Sequence, residues 1–165
     1  MKAIILAGGR GKRLKPITDY VPKPLVPINN IPIIEWQIKY LKKFGVDEVI
    51  VCSGYKTKMI ENYLTMKDLG IKIKFSVEKF PLGTGGAIKK AGKMIKDNNF
   101  FVINGDTITN IDLKKLAKFP NSIAAIELKT KYGILDTEGD KIVNFREKKE
   151  ISETWMNAGI YHLQK

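Results

Sequence analysis

The run Lys2-Ala3-Ile4-Ile5-Leu6, apolar from Ala3 on, gives way at once to Ala7-Gly8-Gly9-Arg10-Gly11-Lys12-Arg13, and this junction limits the possible folds more than any other stretch. Lys2 to Leu6 reads as a short buried strand, and the chain then loses its side chains at Gly8, Gly9 and Gly11. Such a loop lets backbone N–H groups approach an anion closely, because no Cβ stands in the way and positive φ is cheap. Arg10, Lys12, Arg13 and Lys15 add fixed positive charge to the same residues. A strand, a glycine-rich turn and clustered cations outline a phosphate cradle. It is not a P-loop, since no Gly-Lys-Ser/Thr follows, and the G-G-x-G spacing is not the dinucleotide fingerprint G-x-G-x-x-G. Further on, Lys23 stands between Pro22 and Pro24, which stiffen the backbone around one cation.

Strand and helix patterns alternate from there. Pro32 to Phe44 predicts a helix with Ile34, Ile38 and Leu41 on one face, and Glu48 to Ser53 a strand. Thr57 is placed as the cap of a helix running to Leu64, and Ile71 to Val77 alternates as a strand. Thr84 to Lys96 predicts a helix and Phe100 to Ile103 a buried strand. Beyond Asp106 come a short helix over Asp112 to Lys118, a strand over Ser122 to Leu128, and a hairpin of Tyr132 to Asp136 with Lys141 to Phe145. This order predicts an α/β fold, a Rossmann-like three-layer sandwich on a mostly parallel sheet with right-handed crossovers. Ligands of such sheets gather beyond the carboxyl ends of the strands. The loops there carry the glycine-rich turn, Gly83 to Gly86, and Asp106.

The 165 residues suit one domain with its own core. No apolar segment is long enough to span a bilayer, no signal peptide precedes the first strand, and Cys52 is the only cysteine, so a cytoplasmic protein off the membrane is expected. Cys52 lies within an apolar strand and reads as a buried residue rather than a nucleophile. With His162 as the only histidine, a His-rich metal site is excluded. The net charge of +12 is carried almost wholly by lysines spread over helices, and Arg10, Arg13 and Arg146 are the only arginines. Base readout favours arginine and interleaved aromatics, so nucleic acid ranks below a small polyanionic substrate. Trp155 and Tyr161 face either the core or a second copy in a homo-oligomer.

Leu6 to Thr18, followed by Pro22-Lys23-Pro24-Leu25, resembles the N-terminal signature of the sugar-phosphate nucleotidyltransferases: L-A-G-G-x-G-[S/T]-R-L-x-P-x-T, then P-K-P-L or P-K-A-L. Lys12 stands where that family has Ser or Thr. The blocks Leu82 to Ala87, Asn104-Gly105-Asp106, Tyr132-Gly133, Phe145 to Lys148 and Asn157 to Tyr161 follow in family order. Pro81 to Ala87 resembles the guanylyltransferase branch that serves mannose-1-phosphate or heptose-1-phosphate.

The resemblance implies a GT-A-like nucleotide-diphospho-sugar transferase fold and attack of a sugar-1-phosphate oxygen on the α-phosphorus of an NTP, expelling pyrophosphate. It implies that Asp106 binds a catalytic Mg²⁺ and that Arg13 and Lys23 act on the phosphates. Nucleotide contacts would come from Leu6, Ala7, Gly8, Gly9, Gly11, Arg13, Lys23, Glu78, Gly83 and Thr84. Tyr132, Gly133, Glu147, Lys148 and Asn157 would hold the sugar phosphate, with Lys149 where the family has Pro. An ionised Glu78 accepts hydrogen bonds only, and guanine offers two adjacent donors where uracil offers one, which points to GTP. Glu78 as an exposed strand-end residue, and Asp106 as a turn cap, stay open as plainer readings.

Family members continue past Asn-Ala-Gly-Ile-Tyr and carry a second metal-binding aspartate there. The sequence ends at Lys165, so a single domain without that continuation is expected, its second metal ligand coming from elsewhere. A different class of function, a nucleotide- or sugar-phosphate-binding module or regulatory subunit without turnover, is suggested by Lys12 and Lys149 and opposed by Arg13, Lys23 and Asp106.

Overall fold

Continuous apolar runs form the central strands, because a strand covered on both faces needs no polar alternation. The computed structural model describes residues 1–129, 132–146 and 150–165, the side chains of 129 and 150–153 excepted. Strand β1 (Lys2–Ala7) leads through a tight turn over Lys12–Leu14 into the short helix α1 (Ile17–Tyr20) and a second tight turn, Lys23–Leu25. The two-residue strands β2 (Pro27–Ile28) and β3 (Ile31–Pro32) pair across Asn29 and Asn30, both at positive φ, as a two-residue hairpin turn requires. Then follow α2 (Ile33–Lys43), β4 (Glu48–Ser53), α3 (Thr57–Thr65), β5 (Lys72–Val77), α4 (Gly83–Gly92), β6 (Asn99–Asn104) and α5 (Leu113–Leu116). The chain ends in β7 (Ser122–Lys129), β8 (Ile134–Glu138), β9 (Lys141–Arg146) and the long β10 (Glu150–Gln164).

The main sheet has the order β5-β4-β1-β6-β10-β7. Strands β5, β4, β1 and β6 are parallel, with Ile4 opposite both Ile50 and Val102, while β10 runs antiparallel to β6 and sets Ile160 opposite Ile103. Alternate residues fill opposite faces. Ile4, Ile50 and Val102 pack with Ala87 and Ala91 of α4 and with Ile95. The other set, including Ile5, Val51 and Phe101, is also buried, and Ile103 of that set shares a cavity wall with Trp36 and Tyr40 of α2. Truncating any of these fully buried Ile side chains to Ala would cost about 2–5 kcal/mol.

Two compact units emerge: Met1–Ile123 with Gly159–Lys165, and Ala124–Ala158. Within the second, the β8–β9 hairpin turns at Gly139 (φ 61°), and Asp136 accepts from Arg146 at 2.6 Å and Asn144 at 3.0 Å. Among the described residues, no helix is long and apolar enough to cross a membrane.

The β/α alternation matches the sequence reading, with local differences. The expected helix from Thr84 to Lys96 starts at Gly83 and ends at Gly92, where glycine lowers helix propensity and the chain continues through tighter turns to a buried Ile95. Thr57 does not cap α3: Lys56 occupies that position in a left-handed conformation, and the Thr57 hydroxyl donates to Gly54 O at 3.0 Å. The alternation expected for β5 breaks at its end, where Ser76 is buried and Val77 exposed, because β5 is an edge strand. Strands β2, β3 and β10 were absent from the sequence reading.

Candidate active site

The carboxyl ends of β1, β5 and β6 open onto one cavity of about 470 Å³, within the usual range for small-molecule sites. Its walls include Leu6, Ala7, Gly8, Gly9, Gly11, Lys12 and Arg13 from the first loop, and Lys23 and Pro24 from the second turn. Glu78, Pro81, Gly83 and Thr84 come from the loop after β5, and Asn104, Gly105 and Asp106 from the end of β6. Every candidate nucleotide, catalytic and metal residue named from the sequence is therefore brought together.

The first loop is tied down by its carbonyls. Gly8 O accepts from Tyr55 N–H at 3.2 Å, and Gly11 O from the Thr18 hydroxyl at 3.0 Å and from Leu14 N–H at 2.9 Å. Thr18 is buried, and its own carbonyl accepts from the Tyr55 hydroxyl at 2.9 Å. Among the described residues, none accepts from the backbone N–H groups of Gly9 to Arg13. Anchored carbonyls and uncommitted N–H donors are what an anion-binding loop needs. Gly11 has φ 63°, and a Cβ there would lie 2.9 Å from Thr18 Cγ2, so only glycine fits.

Lys23 opens the turn Lys23–Leu25, with Pro22 capping it and Pro24 buried behind. Its ammonium donates to the carboxylate of Asp106, half-exposed in the same cavity. Glu78 accepts the Leu82 N–H at 3.0 Å, while its backbone N–H bonds Ser53 O at 2.7 Å. The other carboxylate oxygen lies beside Gly8, 3.2 Å from where a Cβ would stand. That carboxylate is thus held against the floor of the glycine loop. The N-terminus of α4, at Gly83 and Thr84, which no side chain caps among the described residues, faces the same space with its N–H groups and dipole.

Three of the expected sugar-phosphate residues, Tyr132, Gly133 and Asn157, belong to the second unit. Tyr132 is exposed, Gly133 packs so closely on the Phe145 ring that a Cβ would come within 2.6 Å, and Asn157 lies exposed on β10. Glu147 and Lys148 lie outside the described residues. Cys52 is buried, and burial first of all raises its thiol to about 12, which removes it as a nucleophile.

Among the described residues no three His, Cys, Asp or Glu side chains gather as a metal cage. Asp106 offers one hard carboxylate in a cavity lined with N–H donors, and it already attracts a cation in Lys23. That donor set suits a divalent ion shared with phosphate oxygens, not one enclosed by protein.

A nucleotidyl transferase family model matches residues 2–165. The chain belongs to the nucleotidyl transferase family. This transferase is 47% identical over 171 residues to a D-glycero-alpha-D-manno-heptose 1-phosphate guanylyltransferase of Campylobacter jejuni, the match covering 100% of this chain and 76% of that relative. It is 43% identical to the enzyme of the same description from Aneurinibacillus thermoaerophilus, over 98% of this chain and 74% of the relative. Among solved structures, HddC from Yersinia pseudotuberculosis complexed with GMP-PN superposes with a TM-score of 0.76 at 35% identity, covering 99% of this chain and 76% of that one. The transferase thus shares the GT-A-like Rossmann-type fold expected from its sequence.

The sequence reading missed Gln37, and it placed Pro81 in a family block without naming it as a site residue. Gln37 left a signal: it sits three residues after Ile34, on the helix face otherwise made of Ile34, Ile38 and Leu41.

Proposed function

We propose that this transferase condenses GTP with a sugar 1-phosphate, a D-glycero-α-D-manno-heptose 1-phosphate before mannose-1-phosphate, acting as one nucleotidyltransferase domain in the cytoplasm. A phosphate oxygen of the sugar attacks the α-phosphorus of GTP, the bond to the bridging oxygen of the β-phosphate breaks, and pyrophosphate leaves with that oxygen. The observation that carries this reading is the single cavity shared by the glycine loop, Lys23, Glu78 and Asp106. The relatives' descriptions support guanine and heptose.

In-line transfer of this kind asks for positioning and charge neutralisation more than for covalent help. The uncommitted N–H groups of Gly9 to Arg13 take the triphosphate oxygens. Arg13 and Lys23 supply fixed positive charge as the α-phosphate becomes crowded with negative oxygens. Glu78 accepts N1–H and N2–H₂ of guanine, which selects that base because a carboxylate has no donor for adenine or cytosine acceptors. Asp106 would hold magnesium together with phosphate oxygens, and the ion when bound offsets charge on the leaving pyrophosphate. We assign the sugar phosphate to Tyr132, Gly133, Glu147, Lys148 and Asn157.

The test is pyrophosphate release over a matrix of nucleoside triphosphates and sugar 1-phosphates with magnesium. The expected result is turnover with GTP and heptose 1-phosphate, lost in Asp106→Asn. GTP binding without turnover on any sugar phosphate would instead make the chain a binding module.

A further inference from the structure

One amide nitrogen on α2 holds both ends of the turn that carries Asp106. Gln37 Nε2 donates to Asn104 O at 2.8 Å and to Thr107 O at 2.8 Å, so both its hydrogens are committed. Those carbonyls are the first and last of the turn Asn104-Gly105-Asp106-Thr107, which is closed by Thr107 N–H on Asn104 O at 3.0 Å. Gln37 is 2% exposed and stands on the buried face of α2 beside Ile34, Ile38 and Leu41. Its Oε1 has no partner among the described residues.

Core packing does not explain a glutamine there. A methionine would fill the same volume without burying an unpaired carbonyl oxygen, which carries a desolvation cost. The gain lies on the nitrogen side, where the two carbonyls would otherwise be left to hold the turn alone. The turn is already pressed from two other directions. Gly105 N–H donates to Leu6 O at 2.9 Å, with the β1 backbone so near that a Cβ at Gly105 would overlap it. A Cβ at Gly159 of β10 would come within 2.6 Å of Thr107 Oγ1. Gln37 supplies the third support, and it spans Asp106 by gripping the residues on either side.

We propose that Gln37 is a positioning residue for Asp106, locking the turn so that the carboxylate meets the divalent cation that arrives with the nucleotide. This rests on the reading of Asp106 as ligand of that cation. Groups that orient a metal ligand act on metal affinity rather than on the rest of the site.

The experiment measures GTP affinity by calorimetry, without sugar phosphate, in the presence and absence of magnesium. The ratio of the two is the gain due to the metal. Gln37→Met, which keeps the length but has no donor, is expected to lose about tenfold or more of that gain. Its magnesium-free GTP affinity should stay within about twofold of wild type, since the glycine loop is untouched. Gln37→Glu, of the same shape but with oxygens facing the two carbonyls, is expected to behave alike. In an Asp106→Asn background, Gln37→Met should change nothing further. Equal weakening with and without magnesium would mean a merely structural role and would overturn the proposal. Should Asp106→Asn keep the full magnesium gain, the reading of Asp106 fails; should Asp106→Asn lose it while Gln37→Met keeps it, only the positioning role fails. If neither variant folds, the unsubstituted protein decides: its Gln37 side-chain amide NMR signals should shift when magnesium joins the GTP complex, and unmoved signals overturn the proposal.

Discussion

The ammonium of Lys23 rests on the carboxylate of Asp106, two residues 83 positions apart in the chain. Their side chains are 26% and 40% exposed, so the pair adds at most about 1 kcal/mol to stability. Its worth lies in where it holds the two groups. On the proposed reading, a lysine fixed between prolines and already directed at the Asp106 carboxylate needs little reorganisation when phosphates enter. Lys23→Met is therefore expected to shift the thermal midpoint by no more than about 3 °C and to lower kcat by about 100-fold or more. Stopped-flow pyrophosphate release and a melting curve read both. Undiminished turnover would leave Lys23 a loop lysine with no part in the reaction.

Glu78 tests base selection. Its carboxylate keeps the Leu82 N–H at 3.0 Å and lies beside Gly8, so it is fixed before any base arrives. Glu78→Gln can still accept from Leu82 with its amide oxygen, so the loop should survive. What changes is that one acceptor becomes a donor facing guanine N1–H or N2–H₂. Opposing a donor to a donor in a site built for hydrogen bonds costs discrimination. The kcat/KM ratio of GTP over ATP should fall about tenfold or more. A ratio equal to wild type would leave Glu78 as an edge residue with no part in choosing the base.

The cavity was legible in the sequence because its parts are local signals. Gly8, Gly9, Gly11, the prolines around Lys23, and an Asp after a buried apolar run each announce themselves within a few residues. The strands β1, β4 and β6 were legible for a related reason, since fully buried parallel strands are apolar without interruption. What escaped depends on partners distant in sequence. Strand β10 pairs antiparallel with β6, and nothing local to Ile160 to Gln164 specifies that neighbour. The break in β5 at Ser76 and Val77 follows from its place at the sheet edge, which only the assembled sheet reveals. Gln37 stands out as a polar residue on the apolar face of α2, but what its amide holds shows only once Asn104 and Thr107 arrive opposite it.

Two buried acids contribute to the response to low pH. Glu35 is held below the usual carboxylate range first by the hydrogen bond of Lys39, at 2.8 Å, and then by that of Tyr63. For Glu48 burial pushes upward, but Lys74 at 3.0 Å, Lys2 and Lys72 outweigh it, and the net shift is again downward. A carboxyl depressed on folding contributes stability that is complete above its unfolded value, about 4.3 for Glu, and lost as pH falls through the folded value. Glu48→Gln should accordingly be less stable than wild type at neutral pH, with the gap closing as the pH drops below about 4. Urea midpoints at several pH values check this. A gap that stays constant into the acid limb contradicts the assignment.

Gly9 and Gly11 differ in what a methyl group would meet, and the difference separates fold from ligand. At Gly9 a Cβ would have nothing within 4 Å, and the backbone is not at positive φ, so the folded chain itself has no need of glycine there. At Gly11 the φ of 63° and the Thr18 methyl at 2.9 Å both forbid one. Gly11→Ala should lose about 1–2 kcal/mol from the left-handed backbone alone, with a further steric cost. Gly9→Ala should melt with wild type, yet its KM for GTP should rise about tenfold, because the proposed function gives the open space beside Gly9 to the phosphates. Melting curves and initial rates on the two variants decide the matter. A Gly9→Ala enzyme with unaltered KM would remove the triphosphate from that side of the loop.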